Sequence, residues 1–216
     1  MIYKLIKNTG KEPVFLTFDI IRRRNVKEEI IIASGNKGKI KEVQEILNDY
    51  NIISMKDYDL QIEVEEDQET FEGNAIKKAK TIAKILEGRK CIADDSGIEI
   101  EYLNGFPGVE TKRWLDGTDR ERNLQILKKL EGVPKEKRNI KFVSAIAISD
   151  GKNTVSAVAE LEGKVANQAR GKNGFGFDEI FELEDARTLA ELSKEEKNRI
   201  SARRKALEIL KEKLVN

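Results

Sequence analysis

Histidine is absent from the 216-residue chain, and cysteine occurs once, as Cys91. The first absence excludes Ser-His-Asp and Cys-His nucleophilic mechanisms and every zinc site that relies on imidazole. The single cysteine excludes an intrachain disulfide and a Cys-x-x-Cys metal or redox site. Any catalysis must therefore come from carboxylates, lysine, arginine, hydroxyl groups or a metal held by oxygen atoms.

The chain also lacks an excess of either charge and a long apolar run. Lys plus Arg number 40 and Asp plus Glu number 39, for a net charge of +1, whereas dedicated nucleic-acid binders usually carry a basic surplus. The longest apolar runs, such as residues 30–33, fall far short of the roughly 20 residues that span a bilayer. The N-terminus shows no signal-peptide pattern. We therefore expect a cytoplasmic protein with no membrane or nucleic-acid partner.

Strands and helices alternate along most of the chain. A β-branched run at residues 30–33 predicts a buried strand, and residues 91–93 predict another. The apolar spacing over residues 39–48 and 74–87 predicts two helices, each with one apolar face. Residues 98–103 alternate and predict a strand with one wet face. The pattern indicates a mixed α/β fold with both parallel and antiparallel strand pairs.

The second half of the chain carries clear boundary signals. Thr118 with Glu121 has the spacing of a capping box and predicts the start of a helix. Ser193 with Glu196 has the same spacing and predicts one continuous last helix. The Asp-Gly pair at residues 150–151, between two β-like segments, predicts a hairpin.

The first 29 residues differ from the rest of the chain. Residues 13–21 could form a strand, and charged residues follow at 22–24 and 27–29. A basic triplet can mark a phosphate or nucleic-acid patch, but three residues are few, and we favour a solvated linker. We therefore divide the chain into an N-terminal extension, residues 1–29, and one domain, residues 30–216.

Two polar segments follow predicted strands. Residues 34–39 (SGNKGK) join a strand to a helix, where backbone N–H groups and the helix dipole favour an anion. The spacing is not that of a P-loop, and an ordinary turn capped by Asn36 is an equal alternative. Asp94 and Asp95 follow the second strand and could hold Mg²⁺ through oxygen, although a turn of the Asx type explains them as well.

Three further segments carry charged or aromatic groups. The acidic residues within 63–67 could complete a metal site or simply face solvent. Residues 171–178 (GKNGFGFD) combine glycines, which let a ligand approach the backbone, with Phe175 and Phe177. Those two rings could stack on a base or anchor a core. Residues 197–203 place a lysine and an arginine on the last helix, either to reach a phosphate or a base or as a solvated face.

In their order, these segments resemble the motifs of the inosine triphosphate pyrophosphatase family, also called Ham1-like. The family patterns are S/T-G-N-x-x-K, T-F-x-x-N-A, A-D-D-S-G, L-N-G-x-P-G-V, F-G-Y/W-D and E-E-K-N-x-x-S-H-R. The matching segments are SGNKGK at 34–39, TFEGNA at 70–75, ADDSG at 93–97, LNGFPGV at 103–109, FGFD at 175–178 and EEKNRISAR at 195–203. The resemblance covers residues 30–214.

The resemblance implies an elongated mixed α/β fold of two lobes with a cleft between them, usually as a homodimer. It implies an Mg²⁺-dependent hydrolase that cleanses the nucleotide pool. The implied substrates are noncanonical purine nucleoside triphosphates (dITP, ITP, XTP), cut to the monophosphate and pyrophosphate. The chemistry agrees, because taking a proton from water at neutral pH without histidine needs a carboxylate base or a metal-bound hydroxide.

The resemblance also implies roles for individual residues. Asp95 would accept the proton of the attacking water. Glu65 or Glu66 would hold the metal together with Asp94, and Asp95 would also touch it. The substrate would be held by Ser34, Gly35, Asn36, Lys39, Lys78, Ser96, Phe175, Gly176, Phe177, Asp178, Lys197, Ala202 and Arg203.

Two positions depart from the family pattern. Ala202 stands where the family has a histidine expected to help recognise the 6-keto edge of the purine, and Phe177 stands where it has Tyr or Trp. The second change keeps an aromatic ring but removes a polar handle. Two alternatives therefore stay open: the same chemistry with a shifted base preference, and a nucleotide-binding regulator without turnover.

Overall fold

A computed structural model describes residues 27–55 and 62–215. The strand predicted at 13–21 and the basic triplet at 22–24 lie outside these residues, so both stay predictions. Among the residues described, no helix combines the length and the hydropathy needed to cross a bilayer.

The described residues form a seven-stranded mixed sheet with five α-helices packed against it. The strands are β1 (Glu29–Ile32), β2 (Asn51–Ser54), β3 (Cys91–Ile100), β4 (Phe106–Pro107), β5 (Asn139–Ser149), β6 (Thr154–Val165) and β7 (Phe181–Glu182). The helices are α1 (Lys37–Ile46), α2 (Phe71–Ile85), α3 (Asp119–Lys129), α4 (Lys194–Ile200) and α5 (Ala202–Val215). The predicted mixed α/β fold class is confirmed.

The sheet order is β2-β1-β3-β5-β6-β7, and β4 pairs with β3 off this path. β1 runs parallel to β2 and β3, whereas β3, β5, β6 and β7 pair antiparallel. The predicted hairpin is confirmed: β5 and β6 pair along their whole length, down to Ser149 opposite Thr154. Asp150 Oδ1 closes the turn by accepting hydrogen bonds from the backbone N–H groups of Lys152 and Asn153.

One face of the sheet carries two separate apolar clusters. Ile92 belongs to the first, the α1 cluster, which contains the buried side of α1 and α5. Ile98 belongs to the second, the α3 cluster, which contains the buried side of α3 and also Phe181. The opposite face is covered by α2, whose Ala75 and Ala79 pack on the small side chains of β5. Burial on both faces of the central strands fixes the sheet between its helices.

The structure contradicts the predicted end of the strand at 91–93. β3 continues from Cys91 to Ile100, so Asp94 and Asp95 lie inside a strand and form no Asx turn. Pairing with β5 along all ten residues outweighs the low strand propensity of Asp and Gly. The strand expected at 98–103 is the end of β3, and a short 3₁₀ turn follows it.

The prediction of one continuous last helix is also wrong. Ser201, with φ −55° and ψ 129°, separates α4 from α5. Ile200 packs against the α3 cluster, whereas Leu207 packs against the α1 cluster. The helix is interrupted at Ser201 because α4 packs against one apolar cluster and α5 against the other. Both predicted capping boxes are confirmed, at the starts of α3 and α4.

Candidate active site

Within the described residues, the centre of β3 has a neighbouring strand on one side only. β1 pairs with β3 as far as Ile92, and β4 pairs only with Glu99 and Ile100. In the part of the chain that the structure describes, no strand lies beside residues 94–98 on that side. The sheet is therefore open where the two aspartates stand.

Side chains take the place of the missing strand. Asp95 Oδ1 accepts a hydrogen bond from the backbone N–H of Ser96 at 3.0 Å. Thr111 Oγ1 accepts one from the backbone N–H of Ile98 at 3.2 Å. Buried backbone groups need such partners, and these hydrogen bonds supply them where no strand is paired.

Asp94 and Asp95 point to opposite faces of the sheet, because successive side chains of a strand alternate. On the face of Asp94, β3 presents Ile92 to one apolar cluster and Ile98 to the other. Asp94 and Ser96 stand between them. The polar interruption thus marks the boundary between the two clusters.

Two cations converge on Asp94 from different helices. Lys39 Nζ, on α1, donates a hydrogen bond to Asp94 Oδ1. Arg203, on α5, donates from Nε to Asp94 Oδ2 at 3.1 Å and from Nη2 to Ser96 Oγ at 3.2 Å. Its Nη1 donates to Glu42 Oε2 at 2.7 Å. The Asp94, Lys39 and Arg203 side chains are all buried, so the pairs tie α1, β3 and α5 together.

Burial alone would favour the neutral form of Asp94. Lys39 and Arg203 outweigh it and hold the pKa of the Asp94 carboxyl well below its usual range. Burial and the positive charge of Arg203 lower the pKa of Lys39, which Asp94 counteracts. Asp94 is therefore an ionised anchor for two cations.

Residues 34–39 form a turn at the start of α1, and Asn36 caps the helix. Asn36 Oδ1 accepts hydrogen bonds from Gly38 N–H at 2.9 Å and Lys39 N–H at 3.3 Å, and Ser34 Oγ accepts one from Asn36 N–H at 3.2 Å. The first turn of α1 holds no acidic residue. The turn, which includes Gly35, thus offers an exposed, uncompensated helix N-terminus.

Asp95 faces α2 and has a fixed orientation. Asn74 Nδ2 donates to Asp95 Oδ2 at 3.0 Å, and Asn74 Oδ1 accepts from the backbone N–H of Gln68 at 2.9 Å. Burial raises the pKa of Asp95, and the negative charge of Glu66 raises it further. The Asp95 carboxylate is therefore more basic than that of an ordinary aspartate.

The acidic segment approaches the same side of β3. Glu66 is partly buried and pairs with Lys78 Nζ and, at 2.7 Å, with Arg113 Nη1. Lys78 Nζ also donates to the backbone carbonyl of Asp94 at 3.4 Å. Glu65 is exposed. Across residues 27–55 and 62–215, no three acidic, Cys or His residues converge as a ready-made metal site, so the four predicted ligands do not form one group.

A cleft of about 620 Å³ lies between α1 and the 172–175 loop. Gly38 and Glu42 line it from α1, and Phe175 and Lys197 line it from the other side. Asp95 and Glu66 are not part of this lining, and neither is any other residue of β3.

Only one of the two predicted aromatic rings is available to a ligand. Phe175 is 48% exposed, and Lys197 Nζ lies 4.4 Å from the centroid of its ring. Phe177 is buried in the α3 cluster. Ala202 is buried at the start of α5.

Asp178 shapes the loop that carries Phe175. Its Oδ2 accepts a hydrogen bond from Phe175 N–H at 2.7 Å, and it also pairs with Lys197. Gly174 has φ +79°, and a Cβ there would lie 1.9 Å from Asp178 Oδ2, so only glycine fits. Burial raises the pKa of Asp178, although Lys197 opposes that shift.

Sequence reasoning missed three residues of this region as site residues. Glu42 lies one helical turn after Lys39, so its i, i+3 spacing was a usable signal. Asn74 belongs to the TFEGNA segment, whose match was visible. Arg113 contacts Glu66 across 47 positions, and no local pattern indicates that pair.

The chain is similar to proteins of one family over most of its length. The model of the Ham1 family matches residues 30–213. A dITP/XTP pyrophosphatase of Bacillus licheniformis is 42% identical over 189 residues, covering 85% of this chain and 96% of the relative. A dITP/XTP pyrophosphatase of Bacillus subtilis is 41% identical over 191 residues, covering 86% and 96%.

Solved structures agree with the fold. A HAM1 protein from Coxiella burnetii superposes with a TM-score of 0.80 at 38% identity, over 87% of this chain and 98% of its own. The Ham1 protein of Staphylococcus aureus gives the same TM-score, identity and coverage.

Proposed function

Because this chain belongs to the Ham1 family, we propose that it hydrolyses noncanonical purine nucleoside triphosphates (dITP, ITP, XTP) to the monophosphate and pyrophosphate. The observation that carries the proposal is the open stretch of β3. There a carboxylate oriented by Asn74 lies within the electrostatic reach of Glu66 and Lys78, which pair with each other.

Asp95 is the proposed general base. Asn74 fixes one carboxylate oxygen, and the Ser96 N–H fixes the other, so the group cannot rotate away from the open edge. A raised pKa makes Asp95 a stronger proton acceptor, and a base of this kind contributes about 10²–10⁴-fold to rate. The residue takes the proton of the water that attacks the phosphoryl group.

The triphosphate is held by charge and by the α1 turn. Phosphoryl transfer depends mainly on positioning and on neutralising the charge of the phosphate oxygens. The turn of Ser34, Gly35 and Asn36 supplies polar groups, with Lys39, Lys78 and Lys197 supplying positive charge around it. Asp94 and Ser96 keep Lys39 and Arg203 in place for this task.

The proposed cofactor is Mg²⁺, and the residues beside β3 fit it. Mg²⁺ prefers oxygen ligands and is usually held by one or two carboxylates, waters and substrate phosphates. The like charge of Glu66 raises the pKa of Asp95, a repulsion that a divalent cation relieves. Glu66 and Asp95 would hold the ion, which would neutralise phosphate charge. We do not assign Asp94, whose two oxygens are taken by cations, or the exposed Glu65.

The base is proposed to lie against the 175–178 loop. Phe175 offers an exposed ring, and Gly176 a backbone that a ligand can approach. Asp178 and Lys197 order the loop, and Phe177 anchors it in the core. Ala202 and Arg203 close the far side, and the small Ala202 keeps a shifted base preference open as the second candidate function.

A nucleotide panel tests the proposal. Purified protein is incubated with dITP, XTP, dATP, dGTP and dTTP, with Mg²⁺ or with chelator, and pyrophosphate and phosphate are measured separately. We expect pyrophosphate from dITP and XTP with kcat/KM at least about tenfold above the ordinary nucleotides, and none with chelator.

Other results of the panel identify the alternatives. Phosphate as the first product contradicts the pyrophosphatase mechanism. A preference for an ordinary nucleotide identifies the shifted specificity, and tight dITP binding without product identifies a regulator.

We further propose a cytoplasmic homodimer. The cytoplasm is where nucleotide precursors are consumed, and the dimer follows the family resemblance of the motifs. Light scattering after size-exclusion chromatography should give twice the mass of the chain, and the mass of one chain would contradict the dimer.

A further inference from the structure

Two side chains of α3 hydrogen-bond to the 175–178 loop, the proposed site of the base. Asp119 Oδ2 accepts a hydrogen bond from Gly176 N–H at 2.8 Å. Asn123 Nδ2 donates one to the Gly176 carbonyl at 3.0 Å. The two side chains are four positions apart and lie on the same side of α3. They therefore fix both peptide groups that flank Gly176.

These hydrogen bonds determine the position of Phe175. The peptide between Phe175 and Gly176 is the one that Asp119 holds, and Asp178 accepts from the N–H of Phe175 itself at 2.7 Å. The backbone of Phe175 is thus held on both sides. Gly176 has φ +65°, which a glycine adopts without strain, and a Cβ there would meet nothing within 4 Å. Glycine permits this backbone conformation, and the hydrogen bonds from α3 stabilise it.

As a purely structural residue, Asn123 would lower the stability of the fold. It is 1% exposed, and its Oδ1 has no hydrogen-bond partner within the described ranges. A buried acceptor without a partner costs about 1–3 kcal/mol, and an apolar side chain of similar size would avoid that cost. Among the described residues, the partner of the Asn123 side chain is the carbonyl of Gly176. That bond is the contribution an apolar residue could not make.

We propose that Asp119 and Asn123 are positioning residues that set base binding and base selectivity by fixing the peptides on both sides of Gly176. The inference rests on the proposed function, because it takes Phe175 as a surface for the base. The side-chain hydrogen bonds of the two residues within the described ranges go to Gly176 and Arg122, away from the carboxylates of β3, so their effect should separate from the chemical step.

Steady-state kinetics of Asn123→Leu and Asp119→Ala test the inference. We expect the KM for dITP to rise about tenfold with kcat within about twofold of wild type, the signature of lost ground-state and transition-state binding alike. The preference for dITP over dATP should fall. Inhibition by inorganic tripolyphosphate, which has no base, should be unchanged.

Two matched variants guard against a merely structural effect. Asp119→Asn retains an oxygen that accepts from Gly176 N–H and should restore the wild-type KM. Gln125→Ala changes an exposed residue of α3 and should leave all constants unchanged. Asp119 has a 51% exposed side chain, so its variants keep the test available even if Asn123→Leu fails to fold.

Three outcomes would overturn the inference. The first is an unchanged KM and base preference in Asp119→Ala. The second is a fall in kcat and a loss of tripolyphosphate inhibition that accompany the rise in KM. The third is failure of Asp119→Asn to restore KM. Wild-type protein that releases no pyrophosphate would instead overturn the proposed function, and this inference with it.

Discussion

Asp94 and Asp95 are neighbours in sequence with opposite electrostatics. Two buried cations hold Asp94 ionised, whereas burial and Glu66 raise the pKa of Asp95. The difference arises because a strand sends successive side chains to opposite faces. Asp94 holds Lys39 and Arg203 in place, and Asp95 is the proposed proton acceptor.

Replacing Asp95 should remove activity without removing the fold. We expect Asp95→Asn to reduce the rate of pyrophosphate release from dITP by about 10³-fold, because the amide cannot accept the proton of water. Asp67→Asn, at an exposed acid paired with Lys77, is the matched control and should stay within about twofold of wild type. Equal rates in wild type and Asp95→Asn would show that another group is the base.

Replacing Arg203 should destabilise the protein. Arg203→Met removes one of the two cations that contact buried Asp94, together with the cation paired with Glu42, and we expect a loss of about 3 kcal/mol in the free energy of unfolding. Arg204→Met breaks only an exposed pair with Glu208 and should cost less than about 1 kcal/mol. Denaturant titration measures both. Similar losses in the two variants would contradict the buried-anchor role.

Residue types were easier to predict than residue partners. The motifs indicated Asp95, Lys39 and Arg203 because a short segment of sequence contains each pattern. They did not indicate that Arg203 contacts Glu42, a pair 161 positions apart. Such partners depend on how helices pack, which no local pattern specifies. For the same reason the sequence suggested a metal role for Asp94, and the structure shows two cations on it.

At the scale of elements, helix starts follow local chemistry and helix ends follow packing. The capping boxes at Thr118 and Ser193 were predictable, because each is a contact between residues three positions apart. The break at Ser201 was not predictable, because it arises from the packing of α4 and α5 against two different apolar clusters. The length of β3 was missed for a similar reason, since β5 supports it through the aspartates.

The start of α4 should make stability depend on pH. Glu196 accepts from Ser193 N–H and pairs with Arg187, which together hold its pKa at about 2, below the usual 4.5. The stabilisation is therefore complete above about pH 4.5 and is lost as pH falls through about 2. Glu196→Gln keeps the cap but loses the charge, so its Tm should be lower than wild type at pH 7.

The Tm difference between wild type and Glu196→Gln should shrink steadily between pH 5 and pH 2. Calorimetry at a series of pH values measures it, with Glu195→Gln, in the same turn of the helix, as the control. A difference that stays constant with pH would exclude the charge of Glu196 as its source.

At the scale of the whole molecule, one sheet carries two apolar clusters with a polar strip between them. The fold class and the domain family were predictable because they follow from periodicity and ordered motifs. The order of strands was not, since the pairing of β3 with β5 joins segments about fifty residues apart. A ligand in the cleft contacts elements on both sides of the strip, and its binding should therefore stabilise the whole fold.

Substrate binding should raise the Tm of an inactive variant. In Asp95→Asn with Mg²⁺, dITP at a hundredfold excess over Kd should add about 2.7 kcal/mol. For a domain of this length that corresponds to about 5–10 °C. dTTP at the same concentration is the control and should add less. An equal shift with both nucleotides would contradict base recognition.

The open stretch of β3 has a consequence for solubility. An unpaired strand edge invites pairing with another chain, and natural proteins protect such edges with charge. Here Lys39 and Lys78 contact Asp94 at this edge, so the charged groups of the proposed site also disfavour strand-to-strand pairing between two chains. Loss of these charges would leave the edge less protected against such pairing, so the charge density of the proposed site also protects the protein against aggregation.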